Sequence, residues 1–319
     1  MQNLASTLSL PPSAALDIDE SPLHTLPWST WLINLLAIVI PFLALIAAIV
    51  LSWGYGFSWI QLGLFFGMSV TTGLGITIGF HRFFTHRAFE TTRTVKCLLA
   101  IAGSMAVQGP VLEWVATHRR HHQHSDHEED PHSPHQHGGG FWGLLSGIWH
   151  SHVGWLFEPN PPDLMRYVGD FRNDRPIQFI NRHFTFWVTI GLLLPALLGG
   201  VLTMSWMGAL LGFIWGGLVR VFLVHHITWS INSACHIWGS RPFRSGDQSR
   251  NNVIFGLLGW GEGWHNNHHA FPTSARHGLR WWEIDASYLV IRVLKLLGLA
   301  WEVRLPSRES IAQKLAMQQ

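Results

Sequence analysis

Charge is scarce in this chain: Asp, Glu, Lys and Arg make up 13% of its 319 residues, about half the share in a soluble globular domain. The formal charge of +2 leaves no basic footprint that would call for nucleic acid, and none is expected as a partner. Cysteine is nearly absent. Cys97 and Cys235 cannot build a disulfide framework or hold an iron–sulfur cluster by themselves, and both read as small buried apolar residues. No basic stretch precedes the first apolar run near Trp31, so nothing reads as a cleaved signal. Lys and Arg are missing altogether before Arg82 and between His183 and Val219.

What fills those stretches is apolar. Four runs, residues 31–51, 57–78, 184–202 and 206–224, are long enough to cross a bilayer, which takes about 20 residues. Only Ser52–Gly56 separates the first two and only Thr203–Ser205 the last two, which predicts two helical hairpins with short outer turns. Pro41 and Pro195 are expected to kink their helices. All 21 Lys and Arg lie in 82–182 or 220–314, and the positive-inside rule puts both regions and both termini in the cytoplasm, together with any site those regions carry. The 18 Trp suit membrane–water interfaces.

The predicted fold is an all-α integral membrane protein with four transmembrane helices and a cytoplasmic helical cap (79–183 and 225–304). The folded unit covers 28–304, between an N-terminal tail over 1–27 that reads as disordered and a C-terminal tail over 305–319. The apolar segment Val95–Val115 invites a fifth span. A crossing there would set histidine clusters on opposite sides of the membrane, and Lys96, Gly103, Gly109, Pro110 and Glu113 interrupt it. It reads as two helices at the interface. Tyr288–Trp301 reads as an amphipathic surface helix.

Three histidine clusters stand beside these runs: His81-Arg-Phe-Phe-Thr-His86, His118-Arg-Arg-His121-His122 and His265-Asn-Asn-His268-His269. Neutral imidazole is a common ligand for iron, copper and zinc. Positions i, i+3 and i+4 share a helix face, so each triad is expected to aim three imidazoles at one point. His81 and His86 are roughly 140° apart on an ideal helix and converge only if it ends or bends near Gly79. Eight ligands exceed what one ion takes, which predicts two metals. The clusters carry no carboxylate ligand, unlike the Glu-x-x-His pattern of soluble di-iron bundles.

These boxes resemble those of the membrane fatty acid desaturases, particularly the stearoyl-CoA (Δ9) branch. The resemblance runs from about Ile76 to Trp282. It includes Thr228-Trp-Ser-Ile-Asn232-Ser-Ala-Cys-His236, Arg241-Pro-Phe-Arg-Ser-Gly-Asp-Gln-Ser-Arg-Asn-Asn252 and Gly261-Glu-Gly-Trp-His265-Asn-Asn-His-His-Ala-Phe-Pro272. It implies a di-iron centre held by His81, His86, His118, His121, His122, His236, His265, His268 and His269, with Asn232 acting through water. One iron would take four His plus that water, and the other five. His225 and His226 are candidates to support the ligands, as are the carboxylates Glu113, Asp126, Asp130 and Glu262. His124, His127, His132, His135 and His137 read as a solvated loop. His24, His150, His152, His183 and His277 carry no special claim.

The resemblance implies an O2-dependent desaturase that sets a cis double bond, at Δ9, into a saturated acyl chain on CoA or a glycerolipid. Two iron ions are the implied cofactor. No electron-carrying segment is evident in the chain, so a separate carrier is expected, ferredoxin or cytochrome b5-like with its reductase. An alkyl chain has no polar handle near the reacting carbons, so an apolar tunnel walled by spans two and four is expected to fix the position. Trp155, Thr228 and Trp229 are tunnel residues by family analogy, with ordinary packing the competing reading for each Trp. Arg119, Arg120, Arg241, Arg244 and Arg250 would meet a phosphate-bearing head or an acidic carrier, or only anionic lipid. The rival readings are a histidine-box hydroxylase of alkanes, lipids or sterols, and, from another class, a membrane metal-binding or transport protein. The latter expects ligands inside the spans; a zinc hydrolase expects fewer ligands and a carboxylate base.

Overall fold

Four helices of the computed structural model, which describes residues 25–55 and 58–316, are long and apolar enough to span a bilayer. They are Trp28–Leu51, Trp59–Thr85, Phe184–Thr203 and Trp206–Ile237, and the chain is mostly helical. Residues 1–24 and 317–319, with most of the expected N-terminal tail, lie outside the described residues, as do Gly56 and Phe57 of the expected outer turn. Spans two and four run further than their apolar stretches predict, because each continues as a helix into the histidine-bearing cap.

Spans two and four are also irregular. Span two is α-helical over Trp59–Leu74 and π-helical over Gly75–Thr85. Span four has a π-helical stretch at Phe213–Val219 between α-helical segments. Such stretches shift the phase of the residues that follow and gather at functional sites.

Span four is the hub of the bundle. Ala44 and Ala48 of span one pack on its Ile214 and Val219, and Phe65 of span two meets Trp215 edge-on with ring centroids 5.9 Å apart. Span three closes on it through small residues. A Cβ at Gly212 would lie 2.2 Å from the Pro195 carbonyl oxygen and one at Gly208 2.7 Å from that of Gly199, so backbones approach as in small-residue membrane contacts. Met204, at φ +49°, turns the chain between spans three and four, and the Ser205 hydroxyl accepts from Gly208 N at 2.9 Å. The side chain of Arg220 is wholly buried inside span four. It donates to the carbonyls of Gly216, Met105 and Gly191 at 3.1, 2.6 and 2.7 Å, and so ties spans three and four to the cap.

The apolar segment 95–115 is two helices, Arg93–Ser104 and Val111–His124. Val107 at φ +63° and Gly109 at φ +98° turn the chain between them, and Pro110, which donates no N–H, starts the second. The expected helix Tyr288–Trp301 runs instead over Ala286–Leu296. Gly298, at φ +70°, then leads into Ala300–Trp301, which pairs antiparallel with Glu90–Thr91. The segment read as a C-terminal tail carries the helix Arg308–Ala316.

Candidate metal centre

The π-helix solves the spacing problem at His81 and His86. Its i→i+5 pattern puts residues five apart next to each other. His86 N donates to His81 O at 3.2 Å, and the two rings stand 4.8 Å apart. The bend expected near Gly79 is thus a change of helix type.

The triads do not each aim at one point, as their spacing predicts. His118 and His122 join His81, His86 and His268 in a group of five, whereas His121 joins His236, His265 and His269 in a group of four. Within each group the candidate ligand atoms all lie within 4.8 Å of one another. The reason is angular. Positions i and i+4 lie about 40° apart, and i+3 falls about 60° to the other side. Each triad therefore straddles both groups, giving its i,i+4 pair to one and its i+3 ring to the other.

The short helix His265–Ala270 is held by the two asparagines inside its own motif. Asn266, fully buried, accepts from Phe243 N at 2.8 Å and donates to Phe243 O at 3.0 Å. Asn267 N donates to Asn251 Oδ1 at 3.0 Å, while its side chain reaches His277 O and Glu283 Oε2 at 2.9 and 2.8 Å. Helix Val111–His124 is held by Asn181 Oδ1, which accepts from Leu112 N at 2.9 Å.

The inner and outer nitrogens of these rings meet different partners. Inside, Nε2 faces Nε2: His268 lies 3.0 Å from His81 and 2.9 Å from His122, and His265 lies 3.0 Å from His236. Outside, Nδ1 faces carboxylates. His81 meets Glu262 at 2.5 Å, His121 Asp130 at 2.9 Å, His236 Asp126 at 2.8 Å and His269 Asp247 at 2.6 Å. An N–H held outward by a carboxylate leaves the inner lone pair free for a cation. His86 Nε2 and His269 Nε2 are buried without a hydrogen-bond partner among the described residues. Crowded lone pairs, unpartnered nitrogens and outer anions fit two cations better than a hydrogen-bonded core.

The titration behaviour agrees. Burial first, then neighbouring imidazoles, holds His86, His118, His122, His265 and His268 well below the usual histidine range. Burial pushes His269 down to about 4 despite Asp247. At His121 burial works the same way, but the Asp130 carboxylate outweighs it and raises the pKa. Burial would also raise Asp126, Asp130 and Asp247, yet their histidine partners hold all three far below the usual carboxylate range. The rings are mostly neutral and these outer carboxylates ionised, which is the charge pattern a metal site requires.

Of the four candidate carboxylates, Glu262, Asp126 and Asp130 meet ligand candidates. Glu113 instead accepts from Asn160 at 2.7 Å at an exposed rim. Asp247 escaped the sequence reading, since only the fold brings it to His269. The hydrogen bonds of His225 go to the Ala106 and Val107 carbonyls, and His226 pairs with His152 at 2.9 Å. The loop read as solvated is partly buried: the His132 ring is buried with its centroid 4.4 Å from that of His121. His277, given no claim above, is buried 4.4 Å from the His268 ring.

A cavity of about 350 Å³ reaches the centre. Exposed Ile33, Glu113, Glu158 and Asn160 form its rim, and His81, His118, His265 and Asn232 line it, as do Trp155, Thr228 and Trp229. Span one contributes a wall, beyond the expected spans two and four. Across the cavity wall Gln108 Nε2 donates to Thr228 Oγ1 at 2.9 Å, and Gln108 Oε1 accepts from Trp114 Nε1 at 3.3 Å. Among the described residues that line it, none is Lys or Arg. Arg119, a candidate for phosphate, is spent on the Phe84, Thr85 and Tyr167 carbonyls and on Asp170. Arg250 donates to Gly239 O.

Comparison with known proteins places the chain among lipid-modifying enzymes. The family model described as fatty acid desaturase matches residues 57–295. The chain is 48% identical over 281 residues to a hex-5-enoyl-(acyl-carrier protein) acetylenase of Moorena producens, covering 87% of this chain and 88% of that one. It is 41% identical over 262 residues to an sn-1 stearoyl-lipid 9-desaturase of Synechocystis sp., with coverages of 81% and 76%. It is 40% identical over 284 residues to an icosanoyl-CoA 5-desaturase of Limnanthes douglasii, with coverages of 87% and 73%.

Proposed function

The chain belongs to the fatty acid desaturase family, a family of membrane oxidoreductases of lipid metabolism, and from that premise we propose that it sets a cis double bond at Δ9 into a saturated acyl chain. The observation that carries this reading is the cavity that runs from an interfacial rim to the nine clustered histidines. His81, His86, His118, His122 and His268 would hold one iron. His121, His236, His265 and His269, with Asn232 through water, would hold the other. When bound, the two irons supply the redox chemistry that uses O2 and electrons from a separate carrier to remove hydrogen from two adjacent methylenes.

The residues of the chain do the rest. The carboxylates on the outer nitrogens of His81, His121, His236 and His269 hold those four rings in the tautomer that leaves the inner nitrogen bare. Trp155, Thr228 and Trp229 enclose the acyl chain and keep water from the reacting carbons. The bond between Gln108 and Thr228 pins two separate elements at one wall, which favours one bent path and hence one reacting pair of carbons. The catalytic unit is the segment 28–304, with the site and both termini on the cytoplasmic side, as the distribution of Lys and Arg supports.

For the acyl carrier, a glycerolipid suits the rim better than CoA. CoA is polyanionic and calls for cations at the entrance, whereas this rim presents Glu113 and Glu158. The sn-1 stearoyl-lipid 9-desaturase relative supports the same choice and the same position.

The test is expression in a host lacking its own desaturase, with iron and a working electron donor. Double bonds are then located by mass spectrometry. A Δ9 monoene on membrane lipid is expected, and alkyne and alcohol products are scored separately. No new unsaturated product would overturn the desaturase reading, and an alcohol alone would move the chain to the hydroxylases.

A further inference from the structure

Away from its exposed rim the cavity is lined by residues of four different elements, none of them exposed. Ile38 of span one, Gly73 of span two, Ile227 of span four and Trp260 of the cap all line it. Gly73 is eight residues from His81, Ile227 nine from His236 and Ile38 ten from the start of span one. At the α-helical rise Ile227 and Ile38 lie about 14 and 15 Å along their helices from those points, and Gly73 stands just before the π-helical stretch that carries His81. The fourth, Trp260, comes from the loop just before Glu262 and crosses to span two.

The contact between Trp260 and Gly73 is made by the absence of a side chain. A Cβ on Gly73 would stand 2.4 Å from the Trp260 ring, so any other residue there would displace the indole. The ring is also fixed from its own backbone. Trp260 sits at φ +53°, a conformation that costs a non-glycine residue of order 1 kcal/mol and persists only where its surroundings hold it. Its carbonyl accepts from Ser287 N at 3.0 Å. Gly259 beside it is packed close to Ile227, where a Cβ would lie 3.5 Å from Cγ2. The indole is thus wedged between spans two and four, packed on the cluster that holds Ile76 and Val224.

We propose that Trp260, seated on Gly73, is the wall that limits how much acyl chain extends beyond the reacting carbons, and so sets the longest chain the enzyme accepts. This rests on the desaturase reading above. The position of the double bond, counted from the carboxyl end, is fixed nearer the mouth and does not depend on the wall. A hydrophobic site rejects one surplus methylene by about 10-fold or more when its wall is rigid, so removing the indole is a measurable event.

The experiment feeds wild type, Trp260→Leu, Trp260→Ala and the double variant Trp260→Ala/Gly73→Leu a ladder of saturated chains in two-carbon steps. Product length and bond position are read by mass spectrometry, with iron content and membrane insertion measured in parallel. In the Trp260 variants the ratio of long-chain to short-chain product should rise by about 10-fold, with the bond kept at its distance from the carboxyl end. Gly73→Leu, refilling the space, should return the ratio toward wild type. A wild type that unsaturates nothing would remove the desaturase reading itself. An active wild type whose Trp260 variants keep its length profile would remove only the wall. So would variants that load iron but lose all chain lengths alike, or that move the bond without changing the length preference.

Discussion

Glu262 grips two consecutive residues of span two: its Oε2 lies 2.5 Å from His81 Nδ1 and its Oε1 2.8 Å from Arg82 Nη1. Arg82 is wholly buried and also pairs with Asp285 at 3.0 Å. One carboxylate therefore orients a candidate ligand and neutralises the cation next to it. Removing one partner of a buried pair costs about 3–5 kcal/mol, because the remaining charge is stranded. Glu262→Ala should lower the unfolding midpoint in detergent and weaken metal retention by about 10- to 100-fold. Glu262→Gln, which keeps the shape, should lose less of both. Metal analysis after dialysis against a chelator, beside a thermal melt, measures the two effects. An alanine variant that holds iron like wild type would contradict the assignment.

His268 is the one ring of its triad in the group of five, with Nε2 contacts to both His81 and His122. His268→Ala should abolish unsaturated product and reduce bound iron from two per chain toward one. Membrane insertion should stay intact, since among the described residues the ring's hydrogen-bond contacts are only to other histidines. Retention of product above a tenth of wild type would contradict a ligand role.

In the iron-free protein the buried histidines should make acid destabilising. Burial, with His121 next, pushes His132 down to about 3, and His269 lies at about 4. Both are below the unfolded value of about 6.5. A depressed folded pKa means that the unfolded chain binds the proton more readily, so this stability is complete above pH 6.5 and drains away as pH falls toward 3. Asp126, Asp130 and Asp247, held below their ordinary values, add losses of the same sign below about pH 4. The melting temperature of metal-free protein should fall steadily from pH 6.5 downward. A melting temperature flat to pH 4 would show that these rings are not buried neutral.

Much of this architecture was legible because it follows from local chemistry. Apolar length located the spans, and the clustered imidazoles with the family resemblance named the nine histidines that the fold brings together. What stayed hidden depends on phase and on distant contacts. The division of each triad between two groups is a matter of tens of degrees around a helix, and the π-helix at Gly75–Thr85 has no composition of its own. Asp247 lies 22 residues from His269 and reaches it through a loop that no periodicity describes. Trp260 looks like any tryptophan until Gly73 is seen beneath it.

The rim of the cavity makes the choice of acyl carrier testable on its own. Glu113 and Glu158 are exposed there, and no Lys or Arg lines the cavity among the described residues. A carrier with several phosphates meets repulsion at such an entrance, whereas a lipid entering sideways past exposed Ile33 does not need to bring charge through it. Glu113→Lys/Glu158→Lys should therefore raise turnover of acyl-CoA relative to acyl-lipid by about 10-fold at low salt, and the gain should shrink as ionic strength rises. Neither residue touches the nine histidines, so iron content should not change. Competition between the two substrates in vesicles, at two salt concentrations, reads the ratio directly. If the wild type already prefers acyl-CoA, or if reversal leaves the ratio unmoved, the rim does not select the carrier.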